Sequence, residues 1–184
     1  MRKLSIALAL ATCAGAIPLA AQMDVMVGGQ AMSPRKDIIT NALNSADHTT
    51  LVAAVKAAGL VPTLQGKGPF TVFAPTNEAF AALPAGTVDN LLKPENKGML
   101  TNVLTYHVVA GDYDLDALTK AIKQGNGTAS LKTVQGGMLW FMMNGRTNLI
   151  VKDEQGNVAD ISITDVKQSN GVIHVIDRVL MPKA

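Results

Sequence analysis

Near residue 128 the texture of this chain changes. Beyond it come five short apolar runs parted by turn residues, ASLKTVQG, MLWFMMNG, NLIVKDEQG, ADISITDV and GVIHVIDRVLMP. Short runs rich in β-branched and aromatic residues, bounded by Gly and Asn, read as strands. Asn144-Gly145 and Gln155-Gly156-Asn157 suit tight hairpins. Ahead of residue 128, helix signals dominate. Helices gathered in one half and strands in the other predict an α+β fold, not a doubly wound parallel sheet.

Two helices are well signed. In HTTLVAAVKAAGL, Thr49 or Thr50 can cap the start, and Leu51, Val55 and Ala58 share a face. Gly59 stands where a left-handed stop is wanted, with Leu60 folding back towards Val55. In YDLDALTKAIKQG, Asp114 can cap, Leu115, Leu118 and Ile122 share a face, and Gly125 closes the helix. Asp114 and Asp116 lie near its positive end and Lys120 and Lys123 near its negative end, each worth about 0.3–1 kcal/mol. Between the two, residues 86–111 predict two short helical stretches leading into a strand over 106–110.

The first residues read as an export signal. Arg2 and Lys3 precede an apolar run from Leu4, and small residues follow up to Ala21, so residues 1–21 are expected to be a cleaved signal peptide. That run is shorter than the roughly 20 residues needed to cross a bilayer, and no later segment reaches that length without a charge or a glycine. The expected location is periplasmic or secreted, with no transmembrane segment. The sequence LATC offers an alternative, a lipoprotein site acylated at Cys13, against which stand Thr12 and the apolar sequence continuing to Leu19. With the signal removed no cysteine remains, so no disulfide or thiolate is available and stability must come from the core. Removing Arg2 and Lys3 also leaves 14 Asp+Glu balanced by an equal number of Lys+Arg, and no basic stripe suggests nucleic acid. Residues 22–33, Gly- and Met-rich and aperiodic, are expected to form a flexible lead to one domain over 34–184.

Enzyme chemistry finds little support. The Gly-rich GLVPTLQGKGPF has the wrong spacing and setting for a phosphate loop. No serine sits in a Gly-x-Ser-x-Gly corner. His48, His107 and His174 are too scattered for a zinc pattern. The strand-to-helix corner TVFAPTNEAF raises the sharper question, because many enzymes place their reacting groups at such a turn. Here Thr76 has no local base and is placed to cap the helix that follows, which makes the corner a joint. The methionines give the chemical rival. Met23, Met26 and Met32 in the lead, and Met138, Met142 and Met143 around Trp140 and Phe141, could hold Cu(I) or a small ligand outside the cytoplasm. Methionine also fills irregular core gaps. MLWFMM is apolar on both alternating faces, so this strand is either buried on both sides or presents a sticky patch.

Three blocks then carry a resemblance. GPFTVFAPTNEAFAALP resembles the first signature box of fasciclin domains, TYHVVAGDY is similar to their central Tyr-His segment, and SNGVIHVIDRVLMP resembles the second box. Their order and separation fit one complete domain, as in small secreted bacterial members. The resemblance implies a β-wedge or sandwich of about seven strands packed with a helical layer. It also implies a role in cell adhesion or extracellular protein binding without enzymatic activity; with the signal peptide and the residue search, the expectation is an exported non-catalytic binding module without cofactor or metal, a monomer by default. Thr71, Phe73, Pro75, Thr76, Asn77, Phe80, Gly171, His174 and Asp177 then become fold-specifying residues, with His174 and Asp177 in or at the rim of the core. In animal members an Asp-Ile pair and the Tyr-His segment resemble integrin-contact motifs. The matching positions are Asp165-Val166, with valine for isoleucine, and Tyr106-His107, all four of which could equally be strand packing.

Overall fold

In the computed structural model, which describes residues 24–183, the chain begins with an ordered hairpin. Strands β1 (Val25–Val27) and β2 (Gln30–Met32) pair antiparallel, and both turn residues between them, Gly28 and Gly29, have positive φ. Two central residues with φ > 0 make the tight turn that matches strand twist, and glycine adopts it without strain. Val27 and Met32 are buried in the core. The flexible lead expected over residues 22–33 is therefore corrected from residue 24 onward: strands of three residues are too short to show a period. The signal peptide expected over 1–21, Cys13 and Met23 lie outside the described residues.

Short helices follow: α1 (Ile38–Ala42), α2 (Thr49–Ala58), α3 (Val61–Leu64), and, after strand β3 (Phe70–Pro75), α4 (Asn77–Ala81), α5 (Thr87–Leu91) and α6 (Lys97–Tyr106). Strand β4 (Val108–Ala110) precedes α7 (Leu115–Gln124), and β5 (Thr128–Lys132), β6 (Met138–Asn144), β7 (Asn148–Lys152), β8 (Val158–Gln168) and β9 (Gly171–Ile176) complete the chain. As expected, α2 ends at a left-handed Gly59 with Leu60 N–H bonded to Val55 O, and Asp114 caps α7 by accepting from Ala117 N–H. Gly125 does not supply the left-handed stop of α7; φ becomes positive one residue later, at Asn126. The strand expected over 106–110 starts at Val108, because α6 runs on through Tyr106 and ends at His107.

The main sheet has seven strands in the order β4-β3-β9-β8-β7-β6-β5, antiparallel except for the parallel pair β3–β9. That pair lays the two resembling boxes side by side, Phe70 against Gly171 through Pro75 against Ile176. Gly171 is required at this seam: a Cβ there would lie 1.9 Å from Phe70 O. An isolated bridge between Val109 and Thr133 draws the two edges together, so the sheet nearly closes on itself. Two register shifts along β8 bend it, so that its first residues pair with β7 while its last ones run along β9.

Strands β3 and β9 divide two cores. Val72, Ala74, Ile173 and Val175 face the hairpin and α1–α6. Phe73 and Ile176 face the opposite way, onto Phe141, Leu139, Leu149, Val151 and the α7 residues Leu118 and Ile122. Phe73 and Phe141 meet with ring centroids 5.0 Å apart. A strand pair buried on both faces must be apolar throughout, which is why these boxes read as near-continuous hydrophobic runs. A void of about 50 Å3 remains in the first core, lined mostly by apolar side chains together with Ser45, His48, Lys56 and His107.

Candidate functional site

At the TVFAPTNEAF corner each side-chain polar atom of Thr76 and Asn77 engages a backbone group. The Thr76 side chain accepts from Ala79 N–H at 3.2 Å, capping α4, and its N–H donates to Ile176 O. Asn77 Oδ1 accepts from Thr50 N–H (3.0 Å) and the Thr49 hydroxyl (3.1 Å), while Nδ2 donates to Ala46 O (2.8 Å). The cap of α2 is thus Asn77, 27 residues away, and neither of its own threonines. Beside it, Ser45 Oγ lies 2.8 Å from His48 Nδ1, a serine–histidine pair that the sequence did not reveal. Both are buried, at 2% and 3% exposure, so no substrate reaches the hydroxyl. Burial also lowers the His48 pKa below its ordinary value.

Of the four residues aligned with partner-contact motifs, Tyr106, His107 and Val166 are buried and Asp165 is half-buried. Tyr106 is fully buried; its hydroxyl donates to Met138 O (2.7 Å) and accepts from Glu154 N–H (3.0 Å), and burial raises its pKa. His107 donates from Nδ1 to Val103 O and accepts at Nε2 from Leu180 N–H, and burial pushes its pKa down to about 4. Val166 packs in the first core. Asp165 sits at a β8 register shift with φ 59°, and its carboxylate accepts from Leu115 N–H at 2.7 Å, anchoring the start of α7. Tyr106, His107 and Val166 offer no surface, and strand packing or its equivalent at a helix end accounts for them.

His174 is also internal, stacked on Phe73 at 5.5 Å, bonded through Nε2 to Tyr113 O and through Nδ1 to Asp165 N–H. Thr71 is fully buried and bonds Gly111 O and Tyr113 N–H, and Phe80 is buried. Asp177 is exposed, not core; its carboxylate accepts from Asp160 N–H and extends the β8–β9 ladder. Among the described residues of the lead, Met26 and Met32 do not come together. Met26 is 58% exposed while Met32 is buried, on opposite faces of the hairpin. Among the described residues no group of His, Cys, Asp or Glu is arranged to hold a metal ion.

On the surface lies the outer face of β5–β8. Leu139 and Phe141 point inward and are fully buried; Met138, Trp140 and Met142 point outward and are half-buried. The register sets Ser130, Trp140, Lys152 and Val158 in one row across four strands, and Thr128, Met142, Ile150 and Asp160 in the next. Trp140, Met142, Ile150 and Val158 therefore adjoin as an apolar patch within a polar rim, the arrangement that marks interaction surfaces. The sequence identified MLWFMM as a sticky strand or a doubly buried one; the strand is buried on one side, with Met138, Trp140 and Met142 half-buried on the other.

Alongside lies a groove of about 400 Å3 between this face and the turn over residues 153–156. Its wall is rigid. The buried Asp153 carboxylate accepts from Gln155, Asn157 and Met181 N–H groups, and Glu154 accepts from Met138 and Lys183 N–H. Those backbone donors, Lys183 and then Met138, lower the Glu154 pKa and keep it ionised. Tyr106 links the same turn to β6 from below, so a residue expected at a partner contact instead supports the groove from inside.

The side-chain polar atoms of the corner are thus committed to the scaffold, and an apolar patch lies on the outer face of β5–β8. The fasciclin domain model matches residues 46–182, and the chain belongs to the fasciclin family. It is 45% identical over 177 residues to protein sll1483 of Synechocystis sp., covering 96% of this chain and 90% of that protein. To immunogenic protein MPB70 of Mycobacterium bovis it is 37% identical, covering 86% and 74%. To transforming growth factor-beta-induced protein ig-h3 of Sus scrofa it is 40% identical over 73% of this chain but only 17% of that protein. The fold matches a solved FAS1 domain pair from the insect cell adhesion molecule fasciclin I with a TM-score of 0.58 at 23% identity, over 71% of this chain and 43% of that one. Family members are non-enzymatic adhesion or surface proteins, and this chain is a non-catalytic binding module. No helix among the described residues is long and apolar enough to cross a membrane.

Proposed function

We propose that this protein is an exported adhesion module that holds an extracellular or cell-surface component on the outer face of β5–β8, acting as a monomer. The observation that carries the reading is Trp140. It is the one tryptophan in the chain, and it stands half-exposed on a sheet whose opposite face is fully packed. Nothing internal requires an indole there, and aromatic side chains at the centre of a patch dominate binding energy. An export signal at residues 1–21 and the surface or adhesive descriptions of relatives such as cell surface glycolipoprotein MPB83 of Mycobacterium bovis and fasciclin I support the location. The face is tested by measuring retention of purified protein on envelope or matrix material from its host. Trp140→Ala is expected to weaken retention at least about tenfold, a loss of ~1.4 kcal/mol, with thermal unfolding nearly unchanged. Equal retention of wild type and variant would rule the face out.

A further inference from the structure

The groove beside Trp140 has the chemistry of a sugar site, an inference that rests on the outer face being the binding face. Its volume of about 400 Å3 is in the range of small-ligand clefts. Trp140 and Met142 supply apolar surface, and Thr128, Lys152, Glu154 and Gln155 surround it with hydrogen-bonding groups. Among the described residues Lys152 makes neither an ion pair nor a side-chain hydrogen bond, since the salt bridges there belong to Lys167. Its ammonium is thus available as a donor. Glu154 lies in the same groove, ionised and fixed, and Asp153 lines it as well, so one lysine stands against two acidic residues.

That combination selects among ligands. A lipid or purely apolar partner would strip water from Lys152 and Glu154 without replacing their hydrogen bonds, at a cost of several kcal/mol in general. A polyanion would meet Lys152 but be repelled by Glu154, which cannot be neutralised cheaply because two backbone N–H groups stabilise its charge. An extended peptide gains affinity from a free strand edge, whereas Trp140, Met142 and Lys152 lie on β6 and β7, which are paired on both sides, and of the strands of this face only β5 ends the sheet. A pyranose ring fits each requirement. One face of the ring is a set of C–H bonds that packs on an indole, and its hydroxyls both donate and accept around the rim. We propose that the groove binds a pyranose unit of a neutral extracellular polysaccharide, stacked on Trp140 and hydrogen-bonded by Lys152 and Thr128.

Because Trp140 is the chain's single tryptophan, its emission reports directly on this groove. The full protein is titrated with cellohexaose, chitohexaose and mannohexaose, and with a heparin-derived hexasaccharide as the charged control. A saturable change in emission with at least one neutral hexaose is expected, weakened at least tenfold by Lys152→Ala and substantially restored by Lys152→Arg. Unchanged emission with all three neutral hexaoses, or a response confined to the charged one, overturns the proposal. The same protein is then tested for retention on host envelope material with saturating hexaose present. Retention lost in Trp140→Ala but without any hexaose response leaves the adhesive face standing and overturns the sugar, pointing to a protein partner. A hexaose response with retention indifferent to Trp140→Ala supports the sugar groove and overturns the adhesive role.

Discussion

Strands β9 and β6 are written in nearly the same language, GVIHVI and MLWFMM, and end in opposite situations. Five of the six β9 residues are buried, because the helical core lies on one side and the barrel-like core on the other. Strand β6 is buried only through Leu139 and Phe141, leaving Met138, Trp140 and Met142 facing out. In β9 the polar exception, His174, is locked by hydrogen bonds on both ring nitrogens; in β6 the exposed side chains have no internal task. The contrast separates residues that make the fold from residues that the fold displays.

The sharpest way to break this contrast is to truncate neighbours on the two faces of β6. Phe141→Ala is expected to lower stability by about 3–5 kcal/mol, since it empties a fully buried aromatic site against Phe73. Trp140→Ala, one residue away, is expected to cost under about 1 kcal/mol. Denaturant unfolding of both variants checks the pair, and equal losses would mean that β6 has no display face.

Protons offer the next test, because all three histidines belong to the buried regions and none to the β5–β8 face. The unfolded chain protonates His107 near 6.5, whereas burial delays this in the folded chain to about 4. The stability tied to neutral His107 is full above pH 6.5 and is lost as pH falls through that window to about 4, a change of roughly 3 kcal/mol. His48 and His174, also lowered by burial, act in the same direction. Denaturant midpoints at pH 7.5 and 4.5 measure the loss, and a flat profile would show that these rings are not held neutral. A smaller effect than either Phe141→Ala or the proton test belongs to the corner: Thr76→Ala removes the α4 cap and is expected to cost about 0.5–2 kcal/mol in thermal unfolding, with no effect on retention.

Much of the scaffold was legible because it rests on local rules. Thr76 caps the helix three residues on, Asp114 does the same for α7, and Gly59 closes α2, all set by nearest neighbours. What was not legible depends on long-range pairing. No local pattern says that Asn77 caps α2, or that Phe70–Pro75 lies parallel to Gly171–Ile176. Tyr106 and His107 stand in a short apolar run that reads equally as strand or helix end. Alignment with a contact motif drew them to the surface, whereas packing draws them in. For Trp140 the composition signalled a sticky strand, but which side faced solvent was a matter of register.

The last residues of the domain have a mechanical meaning. Leu180 is tied to His107, Met181 to Asp153, Pro182 to Gln155 and Lys183 to Glu154, four successive fastenings, three of them to the turn that walls the groove. A load pulling on residue 183 would therefore reach that turn through Lys183, Pro182 and Met181 before it reached Leu180, which is buried in the second core.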